Sequence, residues 1–211
     1  MKKQTKRLLF IALSFPLLMS CGGSSKDKEP STFSKIRETG KAVKEVSKNR
    51  SKIEKTMEEA EKLASMEPIE QERLKEWLPN KVKNFKRTRF KTGELAVMGT
   101  SSFESNFEDE NQVNKQINFN LLDGAGSFAA TMIAAFNQGL AYNTEEEREY
   151  MYKKKVEKQG YIAQEESNSR DSYAKIQFIH NGRFLVEISG NNVEVDELWS
   201  FVKALPLNKL P

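Results

Sequence analysis

The sequence predicts an α+β protein in which an antiparallel sheet is covered by helices and is preceded by a long N-terminal helical stalk. Residues 34–66 contain no proline, one glycine and many Lys, Glu and Ala residues, a composition typical of a long helix. After Pro79 the spacing of apolar residues changes from a period of about 3.6 to about 2, which indicates strands. Paired alternating segments around turn residues then predict hairpins.

The first twenty residues have the layout of an export signal, because a short basic segment precedes an apolar run from Leu8 to Met19. As a helix this run would be about 18 Å long, well short of the roughly 30 Å hydrocarbon core of a bilayer. We therefore expect residues 1–20 to be cleaved. The leader also explains the basic net charge, because four of the 34 Lys and Arg residues lie in it and the rest equal the 30 Asp and Glu residues in number.

The leader ends in Leu18-Met19-Ser20-Cys21, which resembles the lipobox of bacterial lipoproteins. The resemblance implies that Cys21 receives a diacylglycerol, that a signal peptidase cuts before it, and that the new amino group is acylated. Two or three acyl chains hold a protein stably to a membrane, whereas one binds reversibly. Gly22 after the cysteine favours the outer membrane under the sorting rule of that family. The alternative is a buried, inert cysteine beside an ordinary secretory signal.

Residues 21–32 are predicted to be a lipidated flexible tether, and residues 33–78 a charged helical stalk with Pro68 breaking it into two helices. An apolar seam runs along the longer helix through Val43, Val46, Ile53, Met57, Ala60 and Ala64. This seam is compatible with a short coiled coil, with packing along the globular domain, or with an isolated helix supported by i,i+4 ion pairs. The oligomeric state therefore stays open.

Basic residues are concentrated in the first half of the stalk and in a run after Pro79. The candidates for binding an anionic surface are Lys35, Lys41, Lys44, Lys48, Lys81, Lys83, Lys86, Arg87 and Arg89. Lipid head groups or an acidic partner could bind them, since an export signal argues against nucleic acid. The alternatives are a solvated face on the stalk and, for the second run, the polar face of an edge strand near an acidic helix.

Residues 79–211 are predicted to form the globular domain. One hairpin joins the alternating segments Phe103–Phe107 and Val113–Leu121, an apolar helix follows Ser127, and further hairpins turn at Gln159-Gly160 and Asn181-Gly182. A last helix ends at Pro206. This order of elements and the terminal Asn181–Ile188 segment before a helix resemble the α/β/α sandwich of PsbP-like and DcrB-like proteins. The resemblance implies an accessory or binding module.

Candidate reactive residues are few. Asp123–Ala129 contains G-x-G-x-x-A, but the preceding strand alternates and follows a hairpin, so we expect a tight turn rather than a dinucleotide site. His180 precedes a turn and is expected to be exposed. The acidic clusters lack the frame of a calcium loop. One Cys and one His exclude an intramolecular disulfide and a Cys/His zinc cluster. We predict no catalytic residue, metal or cofactor.

The sequence thus predicts a lipoprotein of the bacterial cell envelope, attached to the membrane through Cys21, whose α+β domain is a non-enzymatic binding or accessory module for an envelope protein or ligand. Two alternatives stay open. The domain could be an envelope hydrolase with a site built from scattered acids, or the protein could be structural and oligomerise through its stalk.

Overall fold

The computed structural model describes residues 54–93, 95, 98–142 and 145–211. The predicted leader, Cys21, the tether and the stalk lysines Lys35, Lys41, Lys44 and Lys48 lie outside these residues. Everything described belongs to one compact unit, Glu45–Pro211. Among the described helices, none combines the length and the apolar character needed to cross a bilayer.

Four α-helices and nine strands are present in the described part of the chain. The helices are α1 (54–64), α2 (Gln71–Trp77), α3 (Ser127–Ala141) and α4 (Val195–Ala204). The strands are β1 (Lys81–Val82), β2 (Phe85–Thr92), β3 (Ser102–Asp109), β4 (Gln116–Asp123), β5 (Glu146–Arg148), β6 (Met151–Lys158), β7 (Tyr161–Asn168), β8 (Tyr173–His180) and β9 (Phe184–Asn191). A short 3-10 helix follows at Leu207–Lys209.

The strands form one antiparallel sheet in the order β1-β2-β3-β4-β9-β8-β7-β6-β5. Two meanders, β1 to β4 and β5 to β9, are separated in sequence by α3. They join where β4 pairs with β9 over its whole length, from Gln116 opposite Asn191 to Asp123 opposite Phe184. The predicted α+β class with an antiparallel sheet is confirmed.

One face of the sheet, the core face, carries the main hydrophobic core. Alternate residues of β3, β4, β8 and β9 point to this face, as the period of a strand requires. Helices α2 and α4 cover it. Phe107 and Phe201 pack edge to face with 5.1 Å between ring centroids, and Phe178 stacks on Trp199 at 5.8 Å. The α4 helix begins at a capping box formed by Glu194 and Glu197.

The opposite face, the α3 face, is apolar in only one row of residues. Leu122, Leu185 and Ile179 stand side by side on β4, β9 and β8. Ala130 and Ile133 of α3 pack with Leu63 of α1 on this row. Helix α3 therefore lies across one end of the sheet and leaves the remaining rows of this face uncovered by the described helices.

The chain turns at both predicted positions. Gln159 and Gly160 join β6 to β7 with φ of 54° and 80°. Asn181 and Gly182, with φ of 50° and 68°, join β8 to β9 together with Arg183, so this connection has three residues. Positive φ at both central residues is the requirement of a type I′ turn. The first predicted hairpin also forms, but its second strand starts later than expected, because Val113 is 90% exposed in the connecting loop.

The described end of the predicted stalk lies against the domain. Leu63, Leu74 and Leu78 are buried, and the last two belong to the main core. Met57 of the predicted seam is 57% exposed, whereas Ala60 and Ala64 are half-buried. For residues 54–78 the structure thus favours packing along the globular domain. The register differs from the predicted seam because Leu63, outside that seam, makes the buried contact.

Candidate binding cleft

The uncovered part of the α3 face is polar and continuous across the sheet. Its first row, next to the apolar row, consists of Lys91, Glu104, Asn120, Glu187, Gln177, Gln164 and Lys155. Its second row consists of Arg89, Asn106, Asn118, Ser189, Lys175, Glu166, Lys153 and Glu146. These two rows form the floor of what we call the polar cleft.

A hydrogen-bond network orders the centre of this floor. The Glu187 carboxylate accepts hydrogen bonds from Gln177 Nε2 at 2.5 Å and from Asn120 Nδ2 at 3.2 Å. Lys175 Nζ lies 2.9 Å from Glu187 Oε2, and both side chains are about three-quarters buried, with exposed fractions of 23% and 28%. The network holds these side chains in place, and the positive charge of Lys175 balances the negative charge of Glu187.

Two neighbouring amides of the second row lack such partners. Asn106 Oδ1 is buried and has no hydrogen-bond partner in the described part of the chain, and the Asn118 side chain opposite it makes no hydrogen bond there. A buried amide oxygen without a donor costs about 1–3 kcal/mol. Sequence reasoning did not identify these residues, although asparagines alternate with apolar residues along β4 at Asn118 and Asn120.

Helix α3 forms an apolar wall beside the floor. Its flank presents the half-buried Met132 and Phe136, while Ala130 and Ile133 hold the helix to the sheet. Where the wall meets β6 and β7 there is a cavity of about 400 Å³, lined by Ala135, Phe136, Gly139, Leu140, Glu146, Lys153 and Gln164. The cleft therefore combines an apolar wall with a hydrogen-bonding floor.

The predicted basic run lies on β1 and β2, at one edge of the sheet. Lys81 is paired with Glu110, and Arg89 lies 3.8 Å from Glu104. Arg87 donates to the Leu78 carbonyl oxygen at 2.8 Å, and Lys83 donates to Ser200. The acids near this edge strand come from β3 and the loop after it, not from the predicted acidic helix. Lys86 is exposed and lies opposite Glu108.

The G-x-G-x-x-A loop is held by protein contacts. Asp123 is fully buried and accepts hydrogen bonds from Arg183 Nε at 2.6 Å, from Arg183 Nη2 at 2.7 Å and from the Ile69 backbone N–H at 2.8 Å. The Gly126 N–H donates to the Leu63 carbonyl oxygen. Hydrogen bonding to Asp123 raises the pKa of Arg183. The expected tight turn is confirmed, and we call the contact the Asp123–Arg183 clamp.

The expectation that His180 is exposed is wrong, because its side chain is only 2% exposed. Alternation along β8 places it on the core face with Phe178, and Tyr161 Oη lies 2.9 Å from its Nδ1 atom. Burial lowers the pKa of His180, an effect that the nearby Leu207 carbonyl partly opposes. Burial also raises the pKa of Tyr161.

No group of three or more His, Cys, Asp and Glu side chains within the described ranges is arranged to hold a metal ion. In comparisons with protein-family models, with curated proteins and with solved structures, the chain shows no significant match. The resemblances to lipoproteins and to PsbP-like and DcrB-like sandwiches therefore stay predictions from the sequence.

Proposed function

We propose that the chain is a lipid-anchored lipoprotein of the bacterial cell envelope, held in the outer membrane by acylated Cys21, and that its α+β domain is a non-enzymatic binding or accessory module. The observation that supports binding is the polar cleft, an open, ordered row of hydrogen-bonding groups beside an apolar wall. Binding sites in general combine apolar surface with a few placed polar groups. Its partner is an envelope protein or ligand.

The basic residues have two roles in this proposal. Lys35, Lys41, Lys44 and Lys48 attract anionic head groups near the anchored end, at about 1 kcal/mol for each cation close to the surface. Along β1 and β2 the partners of Lys81, Lys83, Arg87 and Arg89 support a structural role instead, because each already donates to or pairs with a group of the domain. Basic side chains on an edge strand also oppose pairing with another sheet.

Metabolic labelling with an alkyne-tagged fatty acid tests the anchor. We expect the wild-type chain to be labelled and to fractionate with membranes, and Cys21→Ser to lose both properties because the acylated thiol is gone. Ser20→Ala is the matched control, since it keeps a small residue before Cys21 and should keep the label. An unlabelled wild-type chain, or label retained in Cys21→Ser, contradicts the proposal.

Photo-crosslinking in cells tests the binding surface. A photoreactive amino acid placed at Asn118, on the cleft floor, should give a discrete crosslinked product. The same residue placed at Asn208, in the 3-10 helix on the core-face side, serves as the control and should not give it. Identical products from the two positions would show that the cleft is not the binding surface.

A further inference from the structure

We infer that the polar cleft binds a neutral glycan chain, an inference that rests on the proposed binding function and names its ligand class. The cleft offers three properties that bear on ligand chemistry: its balance of charge, its amide groups, and its length beside an apolar wall.

Charge in the floor nearly cancels. The two rows contain the five cations Arg89, Lys91, Lys153, Lys155 and Lys175 and the four anions Glu104, Glu146, Glu166 and Glu187. Opposite charges also lie close together, with Lys175 and Glu187 2.9 Å apart and Arg89 and Glu104 3.8 Å apart. Electrostatic complementarity selects partners of opposite charge, so a floor whose charges nearly balance favours a ligand without net charge.

Amide side chains occupy the positions between these charged residues. Asn106, Asn118, Asn120, Gln177 and Gln164 form a continuous group across β3, β4, β8 and β7, interrupted only by β9. Each amide is both donor and acceptor, as is each hydroxyl group of a sugar. Asparagine is disfavoured in strands, and such departures from local preference are expected where a surface has a function.

The Asn118 amide is where a ligand hydroxyl would bind most readily. Asn106 Oδ1 is buried and out of reach of a ligand, but Asn118 beside it is half-buried and makes no side-chain hydrogen bond among the described residues. A hydroxyl group can donate to the Asn118 carbonyl oxygen or accept from its NH2 group without breaking a hydrogen bond of the domain.

The length of the floor and the apolar wall favour a chain of sugar rings over a single ring. The first row crosses seven strands, from β2 to β6, with β9 between β4 and β8. At about 4.8 Å per strand spacing this row is about 29 Å long. Phe136 borders it, and Met132 lies one turn earlier on the same flank of α3. These half-buried apolar side chains supply contact for the C–H faces of sugar rings.

Binding is tested with the full-length chain, purified in a sugar-free polyoxyethylene detergent so that detergent does not compete. The probes are neutral oligosaccharides of increasing length, measured by titration calorimetry. Purified peptidoglycan, whose peptide stems carry charge, is the charged comparison and is measured by co-sedimentation. We expect at least one neutral glycan to bind, with affinity that rises with chain length until the floor is filled. The two probes distinguish a neutral polysaccharide, the proposed ligand, from the charged cell wall.

Matched variants assign the binding to the cleft. Asn118→Ala and Gln177→Ala should each lower the affinity by about tenfold, the effect of a lost hydrogen bond. Phe136→Ser should also lower the affinity, because it removes an apolar contact that the wall makes with the ligand. Asn208→Ala removes an exposed amide on the other side of the domain and should have no effect. Asn118→Ala makes the test robust, because its side chain has no hydrogen bond to lose among the described residues.

Two outcomes overturn the inference: no binding to any neutral oligosaccharide, whether or not peptidoglycan binds, or binding that Asn118→Ala and Phe136→Ser leave unchanged. If the photoreactive residue at Asn118 captures a protein while no glycan binds, the binding function stands and the glycan inference fails. If Asn118 captures nothing specific and no glycan binds, both fail.

Discussion

At the scale of single residues, the buried pair of His180 and Tyr161 has the clearest consequence. The imidazole lies on the core face with Nδ1 2.9 Å from Tyr161 Oη, and its Nε2 atom is buried without a hydrogen bond of standard geometry in the described part of the chain. A charged imidazole is costly in such surroundings, which is why burial lowers the pKa of His180 from its ordinary value of 6.5.

We predict that this residue makes the domain less stable in acid. The unfolded chain protonates His180 below about pH 6.5, but the folded chain does so only at a lower pH, so the free energy of unfolding falls as pH decreases between these pKa values. One proton gives a slope of at most about 1.4 kcal/mol per pH unit. Urea unfolding at about pH 7.5 and pH 5.5 measures this decrease in the free energy of unfolding.

His180→Phe is the matched variant for this prediction. It should be less stable at neutral pH, because Tyr161 loses its partner, but it should lose the additional decrease between these two pH values. The chain contains one histidine, so no other imidazole titrates there. An equal pH dependence in the wild-type chain and the variant would contradict the assignment.

At the scale of elements, Gly124, before α3, and Gly139, within α3, differ in the space around them. A Cβ atom on Gly124 would lie 2.4 Å from the Arg183 carbonyl oxygen and 2.7 Å from Ile133 Cγ1. These contacts are far too short, and one partner is backbone. A Cβ atom on Gly139, inside α3, would meet nothing within 4 Å. The same substitution therefore has opposite consequences at the two ends of this region.

We predict that Gly124→Ala destabilises the domain by about 1–3 kcal/mol, because the strand end and α3 must move apart. Gly139→Ala should stabilise it by about 0.5–1 kcal/mol, because alanine loses less backbone entropy in a helix. Urea unfolding midpoints measure both. A Gly124→Ala variant as stable as the wild type would show that α3 is not seated on the sheet as described.

The sequence predicted those elements whose signals are local. Alternation identified β3, β4, β8 and β9, and Asn181-Gly182 located a turn because only a few residue types accept positive φ. The expectation for His180 was wrong because it rested on the nearness of this residue to the turn, whereas the alternation along β8 puts it on the same face as Phe178. The two- and three-residue strands β1 and β5 are too short to show a period.

The polar cleft was beyond local reasoning. Its floor combines Asn118 of the first meander with Lys175 of the second. These two residues lie on either side of Ser189 of β9, and they come close only because β4 pairs with β9. Strands so far apart in sequence give no local signal of pairing. The wall likewise depends on α3 covering the apolar row alone. The alternating asparagines of β4 were visible, but a solvated strand face gives the same pattern.

At the scale of the whole molecule, the β4–β9 pairing makes one sheet of two meanders. Every residue from Gln116 to Asp123 has a partner on β9, so the first meander cannot separate without exposing the centre of the core. We predict that backbone amides of β4 and β9 exchange hydrogen most slowly and that those of β1 and β5, at the sheet edges, exchange fastest. Native-state exchange read by mass spectrometry measures this order.

A contrary result is easily recognised. If all of β1 to β4 exchanged much faster than β5 to β9, the meanders would unfold as separate units, and the β4–β9 contact would be weaker than its register implies. Coincident protection in the two central strands, with loss toward both edges, supports a single cooperative sheet.

The Asp123–Arg183 clamp also bears on how the domain would respond to tension if the proposed anchor at Cys21 holds it. In a protein held at Cys21, tension would travel along the chain into α1 and reach Ile69, whose N–H is bound to the buried Asp123 carboxylate. The Leu63 carbonyl oxygen accepts a hydrogen bond from the Gly126 N–H nearby. Pulling would therefore detach α1 first and be resisted at the clamp, so that α2 and the sheet would stay folded.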